Sequence, residues 1–177
     1  MESQDRVIAA TRAVMERGGI KDVTIRRVAQ ELGKSTTVIT HYFPSRQALV
    51  RETLAHSLDI SKQTAEQIIE AADDKLWAFL EWSISEEHRD LWSAIISGHA
   101  AGLDPEVSAQ VEDLLAWWDE KLQQLLEGRI AGNYSESECC DIIGVAVEGI
   151  LLTASRGTPS GMSGDEVLRA LVSPLLR

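Results

Sequence analysis

Residues 24 to 49 read TIRRVAQELGKSTTVITHYFPSRQAL, and the fold turns on this stretch. Ile25, Val28, Ala29 and Leu32 recur at helical spacing and predict the buried stripe of a short helix, with Thr24 as its N-cap. Gly33 follows, the residue type that most readily takes the left-handed conformation ending a helix. Ser35 then offers an N-cap for a second helix whose inward residues are Val38, Ile39 and Tyr42. Ala29 is small where the two helices must cross closely, and Gly33 stands four residues later in the turn. The spacing predicts a helix-turn-helix.

The same punctuation extends outward in both directions. Ser3 caps a first helix to about Arg17, with Val7, Ile8, Thr11, Val14 and Met15 on its apolar side and Gly18-Gly19 as its stop. Pro44 ends the second helix of the motif, and Ser45 caps a long helix from Arg46 to about Ala71. Asp73 is the expected cap of a segment holding Leu76, Trp77, Phe79, Leu80 and Ile84, and Ser85 of the next. Asp104-Pro105 opens a helix to about Glu127. Ser135 with Glu138, and Ser163 with Glu166, form capping boxes for the last two helices, expected to end near Leu152 and Leu176. No stretch reads as a strand. The expected fold is all-α with about nine helices: a three-helix amino-terminal domain over residues 1–46 and a larger helical domain over residues 47–177.

No run approaches the roughly 18 apolar residues needed to cross a bilayer, and no signal-peptide pattern opens the chain, so a soluble, cytoplasmic protein is expected. Cys139 and Cys140 are adjacent on a predicted helix, where side chains point about 100° apart; buried thiols are expected rather than a disulfide framework. The formal net charge is −11, but it is unevenly spread. Residues 1–56 carry nine Lys/Arg against six Asp/Glu, and residues 57–177 carry eight against twenty-two. A basic module on an acidic body suits a protein that meets phosphates with one end only.

The stretch from Thr24 to Leu49, above all HYFPSRQAL, resembles the amino-terminal domain of TetR-type (TetR/AcrR) bacterial transcriptional regulators. The resemblance implies a DNA-binding helix-turn-helix whose second helix enters the major groove. With Val38 and Ile39 inward, Lys34, Thr36, Thr37, Thr40 and His41 are left for the groove. Threonine suits it, since its hydroxyl bonds a base edge and its methyl packs on thymine. The matching positions imply phosphate contacts from Thr24, Ser35, Tyr42 and Arg46, and Arg26 joins the candidate DNA-binding residues. Two positions depart from the family pattern: Thr37 where glycine is common and Thr40 where tyrosine is common.

For the larger domain the resemblance implies a homodimer that releases a palindromic operator when a small inducer binds. The helix from Ser135 is apolar nearly all round, which makes it, with the last helix, the expected dimer surface through Gly144, Val147, Leu151, Leu168 and Leu171. All five tryptophans lie beyond residue 76, and Trp77, Trp92, Trp117 and His99 are the inducer-pocket candidates. VEGILL in the penultimate helix resembles the branch of the family that includes choline-responsive betaine-pathway repressors. In that reading a cation meets tryptophan faces, with Glu81 or Glu148 as counter-charge.

Two rivals remain: an enzyme with a catalytic tryptophan-lined cavity, and an architectural DNA-binding protein without an inducer. The enzyme reading finds no nucleophile elbow, phosphate loop or coherent Ser/His/Asp grouping. His88 and His99 lack the spacing of a helical metal pair, so neither metal nor cofactor is expected.

Overall fold

A computed structural model of the chain describes residues 3–86, 89, 105–132, 134–153 and 161–177. Among the described residues the protein is all-α, with helices α1 (Gln4–Gly18), α2 (Ile25–Leu32), α3 (Thr36–Tyr42), α4 (Arg46–Ala71), α5 (Lys75–Ser83), α6 (Pro105–Leu126), α7 (Glu136–Thr153) and α8 (Gly164–Val172). Short 3-10 turns span Ile20–Asp22 and Ser173–Leu175. The helix expected from Ser85 falls largely outside the described residues, as do Trp92 and His99. No described helix is long and apolar enough to cross a membrane.

The chain divides into two compact units. The first contains the described chain up to Gln63 together with α6 as far as Leu114; the second contains the described parts of Thr64–Arg89 and Leu115–Arg177. In the first, Ser3 caps α1 by accepting from the Arg6 amide, and Thr24 caps α2 by accepting from the Arg27 amide at 3.1 Å. α1 packs on α2, and α2 on α3. Val7, Met15, Val28, Ala29, Ile39, Phe43 and Leu49 are buried there. Thr11 is buried with them, its hydroxyl donating to the Val7 carbonyl at 2.7 Å, so its polar atom costs little.

In the second unit, α5 begins one residue later than the pattern suggested, and its cap is Asp74 rather than Asp73. Asp74 Oδ1 accepts from the Trp77 amide at 3.2 Å, and both carboxylate oxygens receive the fork of Arg129, at 2.6 and 2.9 Å. That bidentate grip selects Asp74 over its neighbour. The backbone of Arg129 is equally engaged: its carbonyl accepts from the Arg177 amide at 2.8 Å, beside the isolated bridge between Ile130 and Leu176. α8 therefore stops at Val172, short of the expected Leu176. The chain tightens into the Ser173–Leu175 turn, where Pro174 has no N–H to continue an α-helix. Both expected capping boxes form, at Ser135 with Glu138 and at Ser163 with Glu166.

Cys139 and Cys140 are free, buried thiols on α7. Burial pushes both up in pKa, Cys140 to about 11 with the nearby Asp119 adding to the effect. A thiol-specific reagent at pH 7.5 is therefore expected to label the native protein at least about 100-fold more slowly than the urea-unfolded chain.

The fork of Arg129, ahead of the Trp77 amide, holds the Asp74 carboxyl below the ordinary carboxylate range. A pKa lower in the folded than in the unfolded chain adds stability above the unfolded value, and that stability is lost as pH falls through the folded one. Asp74→Asn keeps a competent N-cap but loses the charge pair. For this partly exposed pair it is expected to cost about 0.2–1 kcal/mol at pH 7, with the difference from wild type closing as pH drops below ~3.9. Urea unfolding across that range measures both.

Candidate DNA interface and effector-binding body

The junction between α2 and α3 is a Schellman turn. Gly33 sits at φ +67°, its amide donates to Gln30 O at 3.1 Å, and the Lys34 amide reaches back to Ala29 O at 2.9 Å. The turn sends α3 off with Ile39 fully buried, Val38 and Tyr42 half-buried, and Thr36, Thr37, Thr40 and His41 exposed. Lys34 and Ser35 are exposed in the approach to α3, and Thr24 and Arg26 at the start of α2. Of the polar candidates, all but Tyr42 and Arg46 are thus exposed.

Local bonds shape what each offers. The Thr40 hydroxyl donates to Thr37 O at 3.3 Å, which commits its proton to its own helix. The Thr24 hydroxyl oxygen is engaged as a cap. The rings of His41 and Tyr42 meet edge to face, with centroids 5.0 Å apart. Ion pairs of Arg17 with Glu31 and Arg27 with Asp22 brace this unit. Arg46, expected to meet phosphate, is half-buried and turned inward: Nε donates to Val23 O at 2.6 Å and Nη2 to Ile20 O at 2.7 Å. Nothing in the sequence signalled this, because the acceptors are backbone carbonyls more than twenty residues away.

The candidate effector residues in the second unit separate into two groups. Trp117 joins an aromatic cluster in which the Phe79 ring lies 5.8 Å from Trp82, 6.2 Å from Trp117 and 5.5 Å from Trp118. Trp118 is buried, with Nε1 donating to Ser83 Oγ at 2.9 Å while that hydroxyl donates to Phe79 O at 2.8 Å. Trp77 and Glu81 come together elsewhere, around a cation the chain itself supplies. The Arg169 guanidinium lies 4.6 Å from the centre of the Trp77 ring and forms an ion pair with Glu81. Glu148 is exposed on α7.

The expected dimer residues also divide. Val147, Leu151 and Leu168 are buried within the single chain, and Gly144 faces the Trp118 ring, 3.9 Å from where a Cβ would stand. The exposed apolar stripe of α7 is instead Ile142, Val145 and Leu152, at helical spacing around Gly149, with Leu171 of α8 also exposed; Val145 is 72% accessible. An open cleft of about 820 Å³ runs beside this stripe, with Glu81 and Ile84, Val145 and Gly149, and Val167 and Leu171 among its walls. α7 is apolar on nearly every side, so periodicity alone could not separate its inward from its outward residues.

Residues 7–53 match the family model described as bacterial regulatory proteins, tetR family. The HTH-type transcriptional regulator BetI of Vibrio atlanticus is 26% identical over 192 residues, covering 97% of this chain and 88% of the relative. The protein of the same name from Vibrio vulnificus is 24% identical over 180 residues, covering 91% and 84%. Among solved structures, a putative transcriptional regulator from Saccharomonospora viridis in complex with choline shares the fold at a TM-score of 0.81, with 20% identity and coverage of 96% and 93%. A transcriptional regulator from Rhodococcus sp. Rha1 gives 0.79, with 18% identity and coverage of 98% and 96%. With the Gly33 turn presenting the polar face of α3, these matches identify residues 7–53 as a tetR-type DNA-binding segment and make the chain as a whole similar to transcriptional regulators of that kind.

Proposed function

We propose that the protein is a homodimeric repressor that reads a palindromic operator through α3 of each protomer and releases it when a small effector binds the carboxy-terminal body. The observation that carries the reading is the exposed row Thr36, Thr37, Thr40 and His41, held outward by the buried Ile39. These side chains, with Lys34 beside them, meet base edges in the major groove, while Thr24, Arg26, Ser35 and Tyr42 meet the phosphates on either side. With Thr37 and Thr40 in place of the family's common glycine and tyrosine, the base contacts are short and favour thymine methyls.

A second copy of the chain covers the exposed stripe of α7 and α8. Ile142, Val145, Leu152 and Leu171 are large apolar groups left to solvent, and Gly149 has open space where a partner helix can approach closely. Two reading heads on one symmetric body then meet two half-sites. The roles first expected of Val147, Leu151 and Leu168 pass to the neighbouring exposed positions.

For the effector, the choline held by the Saccharomonospora viridis structure supports a small organic cation as the first class to test. The chain's own Arg169 on Trp77 and Glu81 supports it physically, because an aromatic face beside a carboxylate already holds a cation in this body. Of the remaining candidates, Trp117 and Glu148 are described and Trp92 and His99 lie outside the described residues.

The direct test is selection of a duplex from a random pool, followed by titration of the complex with choline-like amines. A dyad-symmetric consensus and release at saturating amine are expected. A consensus without dyad symmetry would contradict the dimeric reading, and the absence of any saturable change in tryptophan fluorescence would end the cation reading alone. Thr36→Ala is expected to alter which base is preferred at one position of each half-site, by about 1–3 kcal/mol, without changing the salt dependence. Val145→Glu is expected to halve the mass seen by light scattering, and an unchanged mass would remove α7 from the interface.

A further inference from the structure

The residue at the head of α4 is charged, half-buried and bonded to backbone carbonyls of its own unit. Pro44 ends the preceding segment, and Ser45 caps α4 by accepting from the Ala48 amide at 3.1 Å. Arg46 is the first residue of the helix, and its side chain runs back to the loop that launches α2. Two guanidinium nitrogens are committed there, Nε to Val23 O at 2.6 Å and Nη2 to Ile20 O at 2.7 Å. Those carbonyls bracket the Ile20–Asp22 turn, and the side chains of Ile20 and Val23 are both buried. Val23 adjoins Thr24, the N-cap of α2.

We propose that Arg46 is a positioning residue for DNA reading: its guanidinium fixes the start of α2, and through α2 and the Gly33 turn the attitude of α3, to the first turn of α4. The role rests on the reading of α2 and α3 as the DNA-binding motif. It differs from a phosphate contact in what it demands of the side chain. A phosphate contact needs positive charge, which lysine also supplies. Bridging two carbonyls needs donors held apart in a rigid fork, which arginine has and lysine's single ammonium lacks. The bond is made within one compact unit and needs no DNA to form.

α4 continues beyond that unit, from Arg46 to Ala71, about 39 Å at 1.5 Å per residue. A fork at its first residue makes the reading helix follow the near end of a long rod. With the fork removed, α3 keeps its own turn and its groove-facing residues but loses a fixed attitude towards α4. The loss therefore falls on discrimination between DNA sequences more than on attraction to DNA.

The test compares full-length wild type, Arg46→Lys and Arg46→Met on two duplexes, one selected by the wild type from a random pool and one scrambled from it. Affinities are measured between 50 and 200 mM NaCl, with circular dichroism melting alongside. The positioning role predicts an unchanged slope of log affinity against log salt for both variants. It also predicts a drop of about tenfold in the ratio of selected to scrambled binding, with lysine no better than methionine. A slope smaller by about 0.9 in Arg46→Met, with affinity restored by Arg46→Lys, would overturn it in favour of a phosphate contact. An unchanged ratio in a folded variant would also overturn it. Should Arg46→Met fail to fold, Arg46→Lys still decides between the two, because it keeps the charge and removes only the fork.

Discussion

The left-handed turn at Gly33 is the constraint on which the DNA-binding end depends. It places two backbone bonds, from Gly33 to Gln30 and from Lys34 to Ala29, where a continued helix would have run on. A residue with a Cβ resists φ +67°, so the redirection is written in a single glycine. Once the chain turns there, Ala29 and Ile39 are buried and the threonines of α3 are left outside. The same residues on one unbroken helix would form no compact pair, and their polar side would have no defined direction.

The second unit is governed by the wish of large polar-edged rings for partners. Trp118 is buried with its N–H satisfied by Ser83, itself satisfied by a helix carbonyl, so a polar relay runs inside an aromatic cluster. Arg169 does the opposite on the surface, laying a charge over Trp77 while Glu81 balances it. Asp74 and Arg129 tie the start of α5 to the loop after α6 and to the carboxy-terminal residues. These are specific bonds rather than added burial, and they decide which tryptophans are structural and which face a cation.

The helix-turn-helix was legible in the sequence because its signals are local. A small residue, a glycine and a cap stand at fixed offsets within a dozen positions. The capping boxes at Ser135 and Ser163 were legible for the same reason. What escaped depended on distant partners. The choice of Asp74 over Asp73 was made by Arg129, 55 residues away, and the inward turn of Arg46 by two carbonyls. α7 hid its outward face because leucine, isoleucine and valine occur on every side of it. Trp77 was expected as a pocket residue and Glu81 or Glu148 as counter-charge to a ligand cation; in the structure Trp77 and Glu81 meet Arg169 of α8, a contact no local pattern carries.

The central claim is that the exposed face of α3 enters the major groove at two symmetric half-sites. Methylation interference on the selected duplex tests it most directly, because methylation of guanine N7 blocks the major groove and methylation of adenine N3 the minor groove. The account predicts interference at N7 in two patches related by a dyad, with centres about 34 Å apart or a whole multiple of that spacing. Interference confined to adenine N3, or to a single unpaired patch of guanines, would contradict it.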